Sequence, residues 1–228
     1  MEFAKVDAAD KLHFLGDYID RGEHSFEVLR EVRMHQEQGA VVLRGNHEDM
    51  HVLWLMGKWP DKNYYQNGGA ATKKSFQEKM THTEYAEMVE WMTKLPYTYE
   101  DEEFFYVHAG LVPFEPTTEW DQTTPLEQRH WFPTIADMPT NEMVWARKDF
   151  FILKPDYIMK LTGDRKVIHG HTPMHAVMDD GARINIDLGA GGKNSLALVD
   201  LTNRFVFSYD FARDSFSITA IHDVERKF

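Results

Sequence analysis

Apolar and polar residues near the start of the chain follow the pattern of a strand, a helix and a second strand. Residues 11–15 form a short apolar run that predicts a strand ending at Gly16. Residues 24–38 carry apolar side chains at helical spacing, and Gly39 ends that predicted helix. Residues 40–43 have the length and composition of a buried parallel strand. This order predicts a βαβ unit with a loop after the carboxyl end of each strand.

The rest of the chain changes from predicted helices to predicted strands. Residues 115–143 contain four prolines and predict a long irregular loop. From residue 167 onward, short apolar runs separated by Asp, Gly and Asn turns predict a second, largely antiparallel sheet. The predicted helices cover residues 48–56, 69–79 and 84–94, and the predicted strands cover residues 104–107, 167–169, 176–178, 184–187, 196–199, 205–209 and 216–219. We therefore expect one mixed α/β domain over residues 1–228.

The composition fits an ordinary globular protein and limits the classes of molecule that it is expected to bind. With 228 residues, 43% of them hydrophobic, the chain can bury one substantial core. A net charge of −12 argues against a nucleic-acid partner, so any phosphate binding must depend on metal ions and a few arginines. The chain has no cysteine, no apolar run near the roughly 20 residues of a membrane span, and no start typical of a signal peptide. We expect a cytoplasmic protein that binds neither nucleic acid nor membrane.

The first candidate motif is Gly16-Asp17-Tyr18-Ile19-Asp20-Arg21-Gly22, which follows the first predicted strand. Asp17 offers a hard oxygen ligand for a divalent cation. Arg21 offers a planar guanidinium that fits a phosphate with two hydrogen bonds. The alternative is a tight turn with an Asp–Arg ion pair on the surface.

The second candidate motif, Gly45-Asn46-His47-Glu48, follows the next predicted strand, so both loops can meet in one crevice. Asn46 offers a neutral oxygen ligand. If a carboxylate such as Asp20 orients the ring of His47, this side chain suits a general acid better than a metal ligand. The alternative is a histidine at a helix start, with Asn46 as the N-cap.

Two histidines extend the set of candidate ligands. His108 and His171 each follow a predicted apolar strand and adjoin small residues. Together with Asp17 and Asn46 they give a mixed oxygen and nitrogen set that suits manganese, iron or zinc. A single histidine in such a place is more often structural, so these assignments depend on the motifs occurring together.

The order of these motifs resembles the phosphoprotein-phosphatase branch of the calcineurin-like metallophosphoesterases. Three smaller segments are similar to its bacterial serine/threonine phosphatases and symmetrical diadenosine-tetraphosphate hydrolases: Asn67-Gly68-Gly69, Trp145-Ala146-Arg147 and Ile184-Asn185-Ile186-Asp187-Leu188-Gly189-Ala190. The resemblance implies an α/β fold in which two mixed β-sheets pack as a sandwich flanked by helices.

The resemblance also implies a role for each candidate residue. Asp17 would bridge two metal ions, and the second ion would be bound by Asn46, His108 and His171. His47, held by Asp20, would be the general acid. The phosphate would be bound by Arg21, Asn46 and Arg147.

The chain departs from this family in one respect. It lacks the Gly-Asp-x-His-Gly motif that ends the first strand of such proteins and supplies two ligands of the first metal. The resemblance therefore implies that one central strand is missing and that the first metal site is incomplete. We expect that residues upstream of Met1 have been lost.

The function expected from this resemblance is hydrolysis of a phosphoester by a metal-bound hydroxide, with His47 as general acid. A serine/threonine protein phosphatase acting on phosphoproteins is favoured. The alternatives are a hydrolase of dinucleoside polyphosphates such as Ap4A, or a non-catalytic phosphate-binding relative. Five aromatic residues could stack an adenine or could simply pack their loops: Trp59, Tyr64, Tyr65, Trp120 and Trp131.

Overall fold

The computed structural model describes residues 3–114 and 131–224. Helices are found at α1 (Ser25–Glu37), α2 (Asn46–Leu55), α3 (Asp61–Gln66), α4 (Gly69–Lys79), α5 (His82–Lys94), α6 (Thr140–Met143), α7 (Lys148–Phe151) and α8 (Pro155–Thr162). Strands are found at β1 (His13–Phe14), β2 (Val41–Val42), β3 (Thr98–Glu100), β4 (Phe104–Val107), β5 (Lys166–His169), β6 (Met178–Asp179), β7 (Arg183–Asn185), β8 (Ser195–Asp200), β9 (Phe205–Asp210), β10 (Ser215–Ala220) and β11 (His222–Asp223).

The predicted βαβ unit is present. Strands β1 and β2 pair in parallel, with His13 opposite Val41 and Phe14 opposite Val42. Both strands are shorter than the apolar runs that predicted them. Helix α1 connects them and buries Leu29 and Val32 on its inner face. The unit places its two loops at the same end of the parallel pair.

Helix α1 of this unit packs together with the helices α2, α4 and α5. Their shared core contains Leu29 of α1, Val52 of α2, Phe76 of α4, and Met88 and Met92 of α5. Burying each such side chain contributes about 1.5–3 kcal/mol, so this core holds α2 and the loop before it in place. The predicted helix over residues 69–79 coincides with α4.

A six-stranded mixed sheet forms the centre of the molecule, in the order β11-β6-β7-β5-β4-β3. Strands β4, β5 and β7 run in parallel, whereas the sequence predicted largely antiparallel pairing from residue 167 onward. That prediction was wrong for the pairing of β5 with β4 and with β7, because a short apolar run fits a buried parallel strand equally well. Strands β6 and β7 pair antiparallel, as predicted. The parallel arrangement brings the carboxyl ends of β4 and β5 side by side.

The antiparallel prediction holds for the last long strands. Strands β8, β9 and β10 form a three-stranded antiparallel sheet in which Leu196 lies opposite Tyr209 and Phe216 also lies opposite Tyr209. The described residues thus form three sheets, where the resemblance implied two. The mixed α/β class is confirmed.

The two faces of the six-stranded sheet belong to different cores. Phe105, Val107 and Val167 face one core together with Phe150 and Ile158 of the later helices. The neighbouring residues of the same strands face a second core that also contains residues of β2, β8 and β9. That second core includes Tyr106, Ile168, Ile184, Leu43, Val206 and Ile221, with Val41, Ala197 and Val199 packed against it. The alternation follows from the two-residue period of strands, and it gives the sandwich that the resemblance implied.

A cleft of about 690 Å³ lies between the N-terminal sheet and the antiparallel sheet. Its lining includes His13 of β1 and Ala197 and Val199 of β8. In the described residues, β1 pairs with β2 alone, and β8 pairs with β9 and forms a single bridge with Gly189 at Ser195. The cleft thus lies between the edges of two separate sheets.

Half of the predicted irregular loop is described. Residues 115–130, with Trp120, lie outside the described residues. Within residues 131–143 the chain forms a bridge from Trp131 to Phe114, a short 3₁₀ turn at Ile135–Asp137 and helix α6. Across the described ranges, no helix combines the length and apolar character needed to cross a bilayer.

Candidate metal centre

Two loops meet at the carboxyl end of the parallel β1–β2 pair, and Glu48 joins them. Oε2 of Glu48 accepts hydrogen bonds from the main-chain N–H groups of Asp17 at 2.8 Å and Gly45 at 2.9 Å. Oε1 accepts the N–H of Tyr18 at 2.7 Å. Glu48 is fully buried, and burial and the Asp17 charge raise its pKa to about 7. One carboxylate thus fixes the first loop against the second.

The close approach of these loops requires glycine. A Cβ atom on Gly16 would lie 2.5 Å from Cα of Gly45, and a Cβ on Gly45 would lie 2.4 Å from the Asp17 nitrogen. Gly16 also has φ of 103°, in the region that favours glycine. Any larger residue at either position would push the loops apart.

Four candidate site residues adopt left-handed backbone conformations. Their φ angles are 62° for Asp17, 72° for Asp20, 62° for Arg21 and 66° for His171. Such a conformation is uncommon for residues with a Cβ and costs about 1–3 kcal/mol each. The surrounding hydrogen bonds, including those of Glu48, hold the loops in this conformation.

The four predicted ligands lie together. Nε2 of His108 is 3.2 Å from Nδ1 of His171 and 2.9 Å from Oδ1 of Asn46. It is 3.4 Å from Oδ1 of Asp17. The ligand atoms of Asp17, His108 and His171 all lie within 4.8 Å of one another. Asp17 and Asn46 follow the parallel strands β1 and β2, and His108 and His171 follow the parallel strands β4 and β5. The carboxyl ends of these four strands therefore bring the ligands to one point.

The donor set fits a divalent cation. Nδ1 of His108 lies 2.6 Å from the Leu15 carbonyl oxygen, which can only accept, so Nδ1 donates and Nε2 of the neutral ring carries a lone pair. Burial, together with the nearby Arg147 charge, lowers the pKa of His171 to about 3, which keeps this ring neutral. Lone pairs of His108, Asn46 and Asp17 therefore face one another at 2.9–3.4 Å. Ligand atoms around an ion with bonds of about 2.0–2.2 Å have this spacing.

His47 lies beside the ligands and pairs with Asp20. Its Nδ1 is 2.6 Å from Oδ2 of Asp20, and both side chains are buried. The His47 N–H of the main chain donates to Oδ1 of Asp17 at 3.2 Å. Burial lowers the pKa of His47, but the carboxylates of Asp17 and Asp20 together raise it above its usual value. The Asp20 carboxylate thus contacts His47, and the predicted alternative of Asn46 as N-cap is not observed, because Gly45 precedes α2.

The two predicted phosphate-binding arginines lie at the rim of the cluster. Nη1 of Arg147 donates to the main-chain oxygen of His171 at 3.2 Å and to Oγ1 of Thr172 at 3.4 Å. The main-chain N–H of Arg21 donates to the Gly68 oxygen at 3.3 Å, and its guanidinium lies against Gly191. Both side chains are exposed.

Two residues of the site were assigned no role from the sequence. Glu48 belongs to the second motif, and its carboxylate, three residues after Gly45, accepts the main-chain N–H of Gly45 at 2.9 Å. Thr72 gives no sequence signal, since it lies 52 residues from Asp20, yet its Oγ1 donates to Oδ1 of Asp20 at 2.6 Å. Oγ1 also accepts the Asp20 N–H at 2.7 Å. Thr72 thus holds the carboxylate that holds His47.

The aromatic residues that were considered for stacking an adenine have different surroundings in the structure. Trp59 stacks on Trp145, which contacts His171. Tyr64 is fully buried against Trp54, and Trp131 packs edge to face on Phe114 and on Tyr157. Tyr65 remains 40% exposed and packs edge to face on Tyr64. Packing of the loops therefore accounts for Tyr64 and Trp131, whereas Trp59 is separated from the ligand His171 by one ring, that of Trp145.

Comparison with known proteins agrees with this geometry. A family profile described as calcineurin-like phosphoesterase matches residues 2–211. A symmetrical bis(5'-nucleosyl)-tetraphosphatase of Vibrio parahaemolyticus is 30% identical over 185 residues, which are 78% of this chain and 61% of that protein. The protein of the same name from Actinobacillus succinogenes is 32% identical over 117 residues, 50% of this chain and 37% of that protein.

A solved structure gives further support for the fold. A mutant of a cold-active protein tyrosine phosphatase matches with a TM-score of 0.54 at 18% identity, covering 91% of this chain and 69% of that one. At this identity the likeness shows the fold alone. The chain spans about three fifths of the length of the Vibrio parahaemolyticus relative.

Proposed function

The chain belongs to the calcineurin-like phosphoesterase family, and from this membership we propose that it is a metal-dependent hydrolase of dinucleoside polyphosphates. The observation that carries the proposal is the convergence of Asp17, Asn46, His108 and His171 beside the buried Asp20–His47 pair. This arrangement combines a cation site with a proton donor, which is what phosphoryl transfer to water requires.

The residues present would bind one divalent ion through Asp17, Asn46, His108 and His171. The mixed oxygen and nitrogen set suits manganese, iron or zinc. When bound, such an ion polarises a phosphoryl oxygen and lowers the pKa of a nearby water. Within residues 3–114 and 131–224, this is the single cluster of three or more metal-ligating side chains, so we propose one ion per chain.

His47 is proposed to donate the proton to the leaving group. Asp20 holds Nδ1, so Nε2 is the atom that gives its proton to the departing oxygen. The carboxylates of Asp17 and Asp20 raise the pKa of His47 against the effect of burial, which keeps the ring protonated to higher pH. Asp20 also orients the ring toward the cluster.

Arg21 and Arg147 are proposed to bind the phosphate oxygens. The net charge of −12 repels an anionic substrate at a distance, so local positive charge must reverse the field at the site. The Arg147 guanidinium lies on the main chain of His171, a proposed ligand. Arg21 follows Asp20 in the chain, and its guanidinium lies against Gly191. Guanidinium groups bind phosphate in a fork geometry that neutralises charge as it develops.

The substrate class is taken from the relatives. Both relatives described above carry the name symmetrical bis(5'-nucleosyl)-tetraphosphatase, which favours dinucleoside polyphosphates over the phosphoproteins that the sequence favoured. Symmetrical cleavage of diadenosine tetraphosphate adds one water, breaks the central anhydride bond and gives two molecules of ADP. A serine/threonine protein phosphatase is the second candidate, supported by the motif order.

The proposal is tested by incubating the 228-residue chain with Mn²⁺ and diadenosine tetraphosphate and separating the nucleotides. We expect ADP as the sole nucleotide product, loss of activity in EDTA and recovery with Mn²⁺. AMP with ATP as products, or turnover that persists in chelator, would contradict the proposal. Faster release of phosphate from a phosphoserine peptide would favour the second candidate, and binding without turnover would indicate a non-catalytic relative.

The metal site is tested separately by calorimetric titration with Mn²⁺. We expect about one ion per chain and a loss of affinity of at least tenfold in His171→Ala, because one of four ligands is removed. His175→Ala is the matched control, since His175 is exposed and lies four residues further along the chain. Equal Mn²⁺ affinities of the two variants would contradict the proposal that His171 is a metal ligand.

A further inference from the structure

Two nearly parallel tryptophan rings extend from the ligand cluster. The Trp145 ring meets the His171 ring edge to face, with centroids 5.9 Å apart and an interplanar angle of 86°. Trp59 stacks on Trp145 with centroids 5.7 Å apart and an angle of 11°. Both tryptophans are partly exposed. A flat aromatic surface thus begins at a candidate metal ligand and continues through a second ring.

The indole nitrogen of Trp59 is unusual among the tryptophans of the described segments. Nε1 of Trp59 is buried and has no hydrogen-bond partner within those segments. By contrast, Nε1 of Trp54 donates to Asp61 at 2.7 Å and Nε1 of Trp91 donates to Gln36 at 2.7 Å. A buried donor without a partner costs about 1–3 kcal/mol. The N–H lies in the plane of the ring, so an acceptor at the ring edge, such as a sugar or phosphate oxygen of a ligand, would remove that cost.

Positive charge lies in the same segment as the aromatic surface. Arg147 follows Trp145 by two residues, and its Nη1 donates to the main-chain oxygen of His171. The exposed guanidinium can contact phosphate oxygens of a ligand whose ring rests on the tryptophans. A molecule that joins a phosphate chain to a planar base carries both groups.

We propose that Trp59 and Trp145 form a subsite that binds one nucleobase of the substrate. This inference rests on the proposed function, hydrolysis of dinucleoside polyphosphates, and assigns the residues that recognise the nucleoside. The base stacks on the Trp59 ring, and the phosphate chain passes Arg147 to the cluster. Stacking on an aromatic ring contributes about 1–3 kcal/mol per base and differs little between bases. Adenine and guanine nucleotides are therefore expected to bind alike.

The subsite is tested by calorimetric titration of the Mn²⁺-loaded chain with ADP and with inorganic diphosphate, which lacks the nucleoside. We expect ADP to bind about tenfold more tightly than diphosphate, in line with the stacking energy. In Trp59→Ala this preference should disappear. In Trp59→Phe, which keeps a ring but loses the N–H, part of the preference should remain.

The matched control is Trp54→Ala. Trp54 also stacks on a neighbouring ring, Tyr64, at 4.2 Å and 8°, but it has no contact with His171 among the aromatic pairs of the described residues. The wild-type preference for ADP should persist in this variant. Should Trp59→Ala fail to fold, as judged by its circular dichroism, the Trp59→Phe result decides.

The outcomes separate the subsite from the proposed function. Equal affinity of the wild type for ADP and diphosphate, or an unchanged preference in both Trp59 variants, would overturn the subsite even if diadenosine tetraphosphate is hydrolysed. A preference that depends on Trp59 without any hydrolysis would overturn the proposed function and keep the subsite. A preference for ADP that is lost equally in Trp54→Ala and Trp59→Ala would mean that the tryptophans act only by packing the loop, and would also overturn the subsite.

Discussion

Oδ2 of Asp20 lies 2.6 Å from Nδ1 of His47, and solvent reaches neither side chain to any extent. This pairing fixes both the orientation of the imidazole and the nitrogen that points away from Asp20. A histidine held in this way can give a proton in one direction only. Its contribution to hydrolysis must therefore depend on how much the leaving group needs that proton.

Replacing His47 by Asn is expected to affect substrates according to their leaving groups. General acid catalysis typically contributes 10²–10⁴-fold, so His47→Asn should lower kcat by about that factor for a phosphoserine peptide, whose alkoxide requires protonation. The loss should be much smaller for p-nitrophenyl phosphate, because p-nitrophenolate leaves readily without a proton. Steady-state rates of both substrates at saturating Mn²⁺ measure the two losses. Equal losses would show that His47 acts in another way.

Thr72 is expected to support the same pair. Its hydroxyl donates to Oδ1 of Asp20 at 2.6 Å and accepts the Asp20 N–H at 2.7 Å. Thr72→Val keeps the shape but leaves the buried Asp20 N–H and one carboxylate oxygen without their partner, which should lower the free energy of unfolding by about 1–3 kcal/mol. It should also lower kcat for the phosphoserine peptide more than for p-nitrophenyl phosphate.

The conservative variant Thr72→Ser separates positioning from packing. Because serine keeps the hydroxyl, it should restore most of kcat for the phosphoserine peptide while still lacking the methyl group. Urea unfolding and the rate ratio of the two substrates are the measurements. A Thr72→Val enzyme with an unchanged rate ratio would limit Thr72 to a structural role.

The sequence was sufficient to predict the residues that come together at the ligand cluster. Asp17, Asn46, His108 and His171 each follow an apolar run, and the carboxyl ends of parallel strands meet at one edge of a sheet. Their convergence therefore follows from local patterns and topology. The role of each residue in catalysis remains a proposal.

The sequence was not sufficient where contacts join distant segments. Nothing near Thr72 indicates its bond to Asp20, because the two residues lie 52 positions apart. The parallel direction of β5 and β7 could not be predicted either, since short apolar runs fit both kinds of sheet. The predicted loss of a first strand stays a prediction.

Glu48 is expected to stabilise the site by accepting hydrogen bonds from both loops. Three main-chain N–H groups, of Asp17, Tyr18 and Gly45, donate to its carboxylate. Glu48→Gln removes the charge and turns an NH₂ group toward one of these donors. The NH₂ group leaves one buried main-chain donor without an acceptor, which costs about 1–3 kcal/mol. We therefore expect the free energy of unfolding at pH 8 to fall, although the variant also removes a charge whose burial is unfavourable, as the raised pKa of Glu48 indicates.

Glu90→Gln is the control for that experiment. Glu90 pairs with Lys94 at 2.6 Å on the exposed face of α5, with both side chains more than half exposed. Exposed pairs of this spacing contribute about 0.3–0.5 kcal/mol, so this variant should unfold almost as the wild type does. Mn²⁺ affinity should fall in Glu48→Gln alone, because the loops that carry Asp17 and Asn46 are no longer held together. Similar unfolding energies for the two variants would contradict the role of Glu48.

His51 is expected to make the protein less stable in acid. Its ring is almost fully buried, with Nδ1 2.8 Å from the Tyr64 hydroxyl and Nε2 3.2 Å from the Tyr85 hydroxyl. Burial lowers its pKa to about 4, against an opposing effect of the Asp20 charge. The unfolded chain, with an ordinary pKa near 6.5, binds a proton that the folded chain does not accept until about pH 4.

The sign and range of this effect follow from proton linkage. Above pH 6.5 the ring is neutral in both the folded and the unfolded state, so His51 contributes no pH dependence. As the pH falls from about 6.5 to 4, protonation of the unfolded chain lowers the free energy of unfolding by up to ~3 kcal/mol. Below pH 4 His51 adds no further change. Urea unfolding at pH 7.5 and pH 4 measures the difference. In His51→Gln this difference should shrink by about that amount, whereas removal of the exposed His175 in His175→Gln should leave it as in the wild type. If His51→Gln keeps the full wild-type difference, the buried imidazole accepts its proton as readily as the unfolded chain does.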